Sequence, residues 1–108
     1  MYDAMAAALK ATGIPFAEDG WDTHPPAPWG VYAIDGEGET LHGDDRHELP
    51  VSTGTVDLFV LGSGRALRRQ VEAALALSGV WWSRNSRQYE DSTHLTHYEW
   101  VFEVIDGE

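Results

Sequence analysis

A chain of 108 residues, 43% hydrophobic and 11% aromatic, is sized for one globular domain over residues 1–108, burying roughly two thirds of the surface its unfolded chain exposes. Its net charge of −11 argues against binding a nucleic-acid backbone, which takes a basic patch to displace counterions. The lack of cysteine excludes disulfides and thiolate metal sites, no apolar run approaches the ~20 residues of a membrane span, and no basic segment precedes the N-terminal alanines as a signal peptide requires.

Tyr2 to Ala11 is rich in alanine and predicts a first helix, with Met5, Ala8, Leu9 and Thr12 as its apolar stripe and Gly13 and Pro15 as its stop. Phe16 to Glu18 fits a short strand. Asp22 to Pro28 holds three prolines and can be neither a helix nor a central strand; it leads into an apolar strand, Trp29 to Ile34. Asp35-Gly36-Glu37-Gly38 signals a turn, with a hairpin partner expected around Glu39 to His42. After a second turn at Gly43-Asp44-Asp45, a long strand begins near Glu48. Leu49, Val51 and Thr53 stand at odd positions, but Val56, Leu58 and Val60 at even ones. The phase slips where Gly54 sits, which predicts a bulge or sharp bend there.

Gly54 to Gly79 organises the rest. Its strand alternates Val56, Leu58 and Val60 with Thr55, Asp57 and Phe59. Past Gly62-Ser63-Gly64, a helix carries Leu67, Val71, Ala74, Leu75 and Ser78 on one stripe, with Arg65, Arg68, Arg69 and Glu72 largely off it. Ser63 is the expected N-cap and Gly79 the expected left-handed C-cap. Val80 to Tyr89 reads as a strand with Trp81 and Trp82 at its base. A polar turn around Glu90 to Thr93 precedes the last strand, His94 to Ile105, in which Tyr98, Trp100, Phe102 and Val104 share a face. The fold class is α+β: a mostly antiparallel sheet with two helices packed on it, in the order α-β-β-β-β-α-β-β. Its core should gather Val56, Leu58, Val60, Leu67, Val71, Leu75, Trp100 and Phe102.

Candidate chemistry is sparse. Asp35-x-Glu37-x-Glu39 imitates the start of a calcium loop but has Thr40 where glycine is needed and Arg46 where glutamate is needed. His94 and His97, three apart in a strand, face opposite ways; His42 and His47 flank a turn without a third spaced ligand. Ser63 lacks the spacing of a nucleophile elbow, and Glu99 with Glu103 is ordinary solubilising charge. No catalytic, cofactor-binding or metal-binding set emerges. The unusual charges are Arg65, Arg68, Arg69, Arg84 and Arg87, five of the seven basic residues. They fit a solvated helix face, or a positive sector that meets the acidic sector of an identical neighbour head to tail in a ring. Trp21 and Trp29, in or beside the proline segment, fit local packing or the same interface.

Leu9 to Pro15, Pro28-Trp29-Gly30-Val31-Tyr32, His42-Gly43-Asp44-Asp45, Val56-Asp57-Leu58-Phe59 and His97-Tyr98-Glu99-Trp100-Val101-Phe102-Glu103 together resemble the small tail terminator, or tail completion, proteins of long-tailed bacteriophages. The match spans nearly the whole chain but consists of packing and turn residues, not a chemical motif. The resemblance implies a non-enzymatic virion protein, assembled in the host cytoplasm, that forms a hexameric ring, caps the tail tube and joins it to the neck and head. Its partners would be copies of itself, the tail tube protein and a neck or head-closure protein, with DNA passing through the lumen and no sequence-specific contact to it. Asp35, Glu37 and Glu39 are the candidate lumen loop. A head-closure or adaptor protein of the same neck, or an unrelated small acidic α+β binding protein, are the alternatives.

Overall fold

The alternation in the central strand has a direct structural consequence: Val56, Leu58 and Val60 are buried, while Thr55, Asp57 and Phe59 between them are half-exposed. The computed structural model describes residues 1–37 and 51–105, and among these the elements are α1 (Tyr2–Ala11), β1 (Phe16–Glu18), β2 (Trp29–Glu37), β3 (Val51–Leu61), α2 (Arg65–Ser78), β4 (Trp81–Glu90) and β5 (Leu95–Ile105). They form an α+β domain around one sheet of order β1-β2-β3-β5-β4. β1 pairs with β2 in parallel and every other pairing is antiparallel.

Both helices lie on one face. Met5 and Leu9 of α1 and Val71, Ala74 and Leu75 of α2 join Val56, Leu58, Val60, Tyr98, Trp100, Phe102 and Val104 in a single buried cluster, against which Leu67 packs. Each large apolar side chain buried here contributes about 1.5–3 kcal/mol. α2 ends as its sequence implies, at Gly79 with φ 84°, a left-handed position that glycine takes without steric cost. Its start differs. The N-cap is Gly64, with φ 58°, and no side chain caps the helix. The carbonyl of Ser63 accepts a 2.7 Å hydrogen bond from the Tyr98 hydroxyl, and that of Gly62 accepts one from Thr96. The link into the helix is therefore tied to β5, not closed on the helix itself.

The bulge is also displaced. β3 pairs with β5 from Val51↔Ile105 to Leu61↔Leu95 without a break, so Gly54 is not bulged. The extra residue is Asp35, in the neighbouring strand, between the pairs Ile34↔Gly54 and Gly36↔Thr53. The polarity phase slips in β3 because Val51 and Ser52 are both buried, leaving no exposed side to alternate with at that end. Gly54 is needed for space: a Cβ there would lie 2.1 Å from the Ala33 carbonyl oxygen and 2.4 Å from Cζ of Phe102. Nor is Asp35-Gly36-Glu37 a turn; absorbed by the bulge, it continues β2 and pairs Glu37 with Ser52. The expected strand at Glu39 to His42 and turn at Gly43-Asp44-Asp45 lie outside the described residues. A second bulge at Asn85, between the pairs Arg84↔Trp100 and Ser86↔Glu99, interrupts alternation in β4, and Asn85 donates a 2.7 Å bond to Glu99.

Candidate functional site

With both helices on one face, no helix among the described residues covers the opposite face of the sheet, and that face is built by register. Trp29 of β2 stands opposite Phe59 of β3, which stands opposite His97 of β5. Neighbouring strands lie about 4.8 Å apart, so flat rings standing upright at paired positions must stack. They do: Trp29 to Phe59 is 4.1 Å between centroids and Phe59 to His97 is 4.2 Å, each at 16°. His24, from the proline segment, adds a fourth ring at 4.2 Å and 16° from Trp29. Asp57, two residues before Phe59 on the same face, holds Nε2 of His97 at 2.6 Å from Oδ1, which orients the last ring.

This row divides two hollows. One, of about 350 Å³, is bounded by Asp19, Trp21, His24, Trp29, Asp57 and Phe59. Trp21 is fixed in it by its indole N–H, which donates 2.9 Å to the Gly30 carbonyl. Asp19 takes a left-handed φ of 67°, and its backbone N–H donates to the Tyr32 carbonyl at 2.9 Å. The peptide bond Ala27–Pro28 in the intervening segment is cis. The other hollow, about 300 Å³, lies across the row between Phe59, His97 and the β4 residues Gln88, Tyr89 and Glu90.

The basic sector lies on the helix side. Arg68 approaches Glu72 at 3.5 Å and Arg84 approaches it at 3.3 Å. The same carboxylate accepts a 2.9 Å bond from Nε1 of the buried Trp100. Arg68 and Arg84 thus serve an internal network, while Arg65, Arg69 and Arg87 are exposed and have no partner among the described residues. The structure brings Trp21 and Trp29 together and sets them on the opposite side of the sheet from Arg65, Arg68 and Arg69. Of the expected lumen residues, Asp35 is exposed at the β2 bulge, Glu37 ends β2, and Glu39 lies outside the described residues.

Phe59, His97, Asp57 and His24 were not legible as a site from sequence. The one available signal was an aromatic, Phe59, in phase with the polar positions of its strand. Among the described residues no group of three or more potential metal ligands converges; His94 instead meets the Tyr89 hydroxyl at 3.2 Å.

The described residues form an α+β domain of two helices and one five-stranded sheet. No family model matches the sequence, and no curated protein matches it. Among solved structures it is similar to a chain in the virion of a native gene transfer agent (GTA) particle, at 15% identity with a TM-score of 0.56, the match covering 95% of this chain and 91% of that one. At that identity the likeness is one of fold.

Proposed function

We propose that this chain is a structural subunit of a phage-type virion, forming a ring that caps the tail tube and joins it to the neck. The observation that carries this reading is the fold likeness, end to end on both chains, to a component of a virion particle. Two physical features support it. The aromatic sheet face and the basic sector lie on opposite sides of the subunit, so a contact between the two patches is head to tail, as in a ring, and not two-fold. The net charge of −11 suits a passage that must release double-stranded DNA rather than hold it, and Asp35, Glu37 and Glu39 are the residues assigned to that lining. The ring's partners are further copies of the chain, the tail tube protein and a neck protein.

The test is capping. Tail tubes incubated with the purified chain and imaged by electron microscopy should carry a disc of density at one end. Tubes whose ends stay bare at saturating protein refute the reading.

A further inference from the structure

We infer that the hollow beside Trp21 and Trp29 receives arginine side chains of a second copy of this chain, supplied by Arg65 and Arg69 of α2. The inference deepens the ring reading and rests on it.

The chain's own cations define the donor. Lys10 lies over the Tyr32 ring at 5.8 Å, and Arg68 and Arg84 are committed to Glu72. Among the described residues Arg65, Arg69 and Arg87 remain exposed with no partner; Arg87 stands alone on β4, whereas Arg65 and Arg69 are four apart on a helix, where side chains share a face and can enter one site together. The acceptor is complementary in charge and in kind. Asp19 and Asp57 bring two carboxylates to one hollow and Trp21 brings an indole, a surface on which a planar guanidinium stacks while its N–H fork meets a carboxylate; Trp29, already stacked with His24 and Phe59, lines the wall. His97 occupies Oδ1 of Asp57, which leaves that carboxylate's second oxygen for an incoming donor. Trp21 is held in place by its bond to Gly30, so the wall is formed before the partner arrives. Donor and acceptor lie on opposite faces of one sheet. A subunit therefore cannot satisfy its own hollow, nor can two copies satisfy each other by a two-fold contact. Each copy offers one half to each of two neighbours.

The experiment is sedimentation velocity on the full chain from micromolar to millimolar concentration, with near-UV circular dichroism confirming that each variant is folded. The wild type should form oligomers larger than dimers. The donor variant R65E/R69E and the acceptor variant D19N/D57N should each weaken association about tenfold or more, and added salt should weaken the wild type in the same direction. Asparagine keeps an amide toward His97 and tolerates the left-handed backbone at residue 19, so the acceptor variant removes charge with little change of shape. Mixing the two variants leaves one intact contact per pair and should give one-to-one heterodimers that grow no further. If both variants assemble as the wild type does, the contact is refuted and the ring reading is untouched. A chain that caps tail tubes but stays monomeric to millimolar concentration also refutes the contact. Bare tubes beside the expected mixing pattern uphold the contact and sink the ring reading alone.

Discussion

Replacing Trp100 by alanine tests whether the sheet face beneath the helices carries the stability of the domain. Trp100 is fully buried, stacks on Tyr98 at 5.9 Å and donates its indole N–H to Glu72 at 2.9 Å. Truncating a buried tryptophan costs about 3–5 kcal/mol through lost transfer energy and the cavity left behind. A domain of this length has about 5–15 kcal/mol in total, so the variant should sit near the threshold of folding. With a urea m-value of about 2 kcal/mol/M, the unfolding midpoint followed by far-UV circular dichroism should fall by about 2 M. The phenylalanine variant separates packing from the hydrogen bond. It keeps most of the ring, and Glu72 keeps Arg68 and Arg84, so Trp100→Phe should cost only about 1 kcal/mol more than its volume loss. A soluble Trp100→Ala protein with the wild-type midpoint would refute the assignment of the core face.

Gly54→Ala should destabilise by about 3 kcal/mol in the same urea titration, because its Cβ would meet the Ala33 carbonyl, a backbone atom that cannot swing away; a change below about 0.5 kcal/mol, as for an ordinary surface site, would contradict the close approach. Tyr2 has its ionisation raised well above the ordinary tyrosine range, first by burial and then by its 2.7 Å hydrogen bond to Glu18. Because the folded phenol resists losing its proton, the stability it confers is complete below the unfolded value of about 10 and drains away as pH rises past it. The wild type should therefore lose stability faster than Tyr2→Phe on going above that pH, and parallel curves would dismiss the effect. Changing Asp35, Glu37 and Glu39 together to lysine should leave folding and ring formation intact yet slow DNA delivery, by placing cations along the proposed path; normal infectivity from fully assembled triple-lysine particles would remove these residues from the lumen.

Local chemistry made much of the fold readable. Residues Tyr2 to Ala11 form the helix their composition implies, Gly79 caps α2, and the alternation of Tyr98, Trp100, Phe102 and Val104 points those side chains to the core, because helical and strand periods and a left-handed glycine depend only on near neighbours. The misplaced features all depend on a partner strand. A bulge belongs to a pair of strands, so the phase slip near Gly54 could not reveal that Asp35 across the ladder carries the extra residue. Ser63 carries an N-cap signature, but the carbonyl of that link is engaged by Tyr98, 35 residues away. The candidate surface is the extreme case. Trp29, Phe59 and His97 are separated by 30 or more residues, and only the order β2-β3-β5 and its register stack their rings and open a hollow beside them. That same order sets the tryptophans and arginines on opposite sides of the sheet. Composition could identify both groups as unusual; only the tertiary fold decides that they face away from each other, because a sheet has two faces and position along the chain does not say which one a helix will cover.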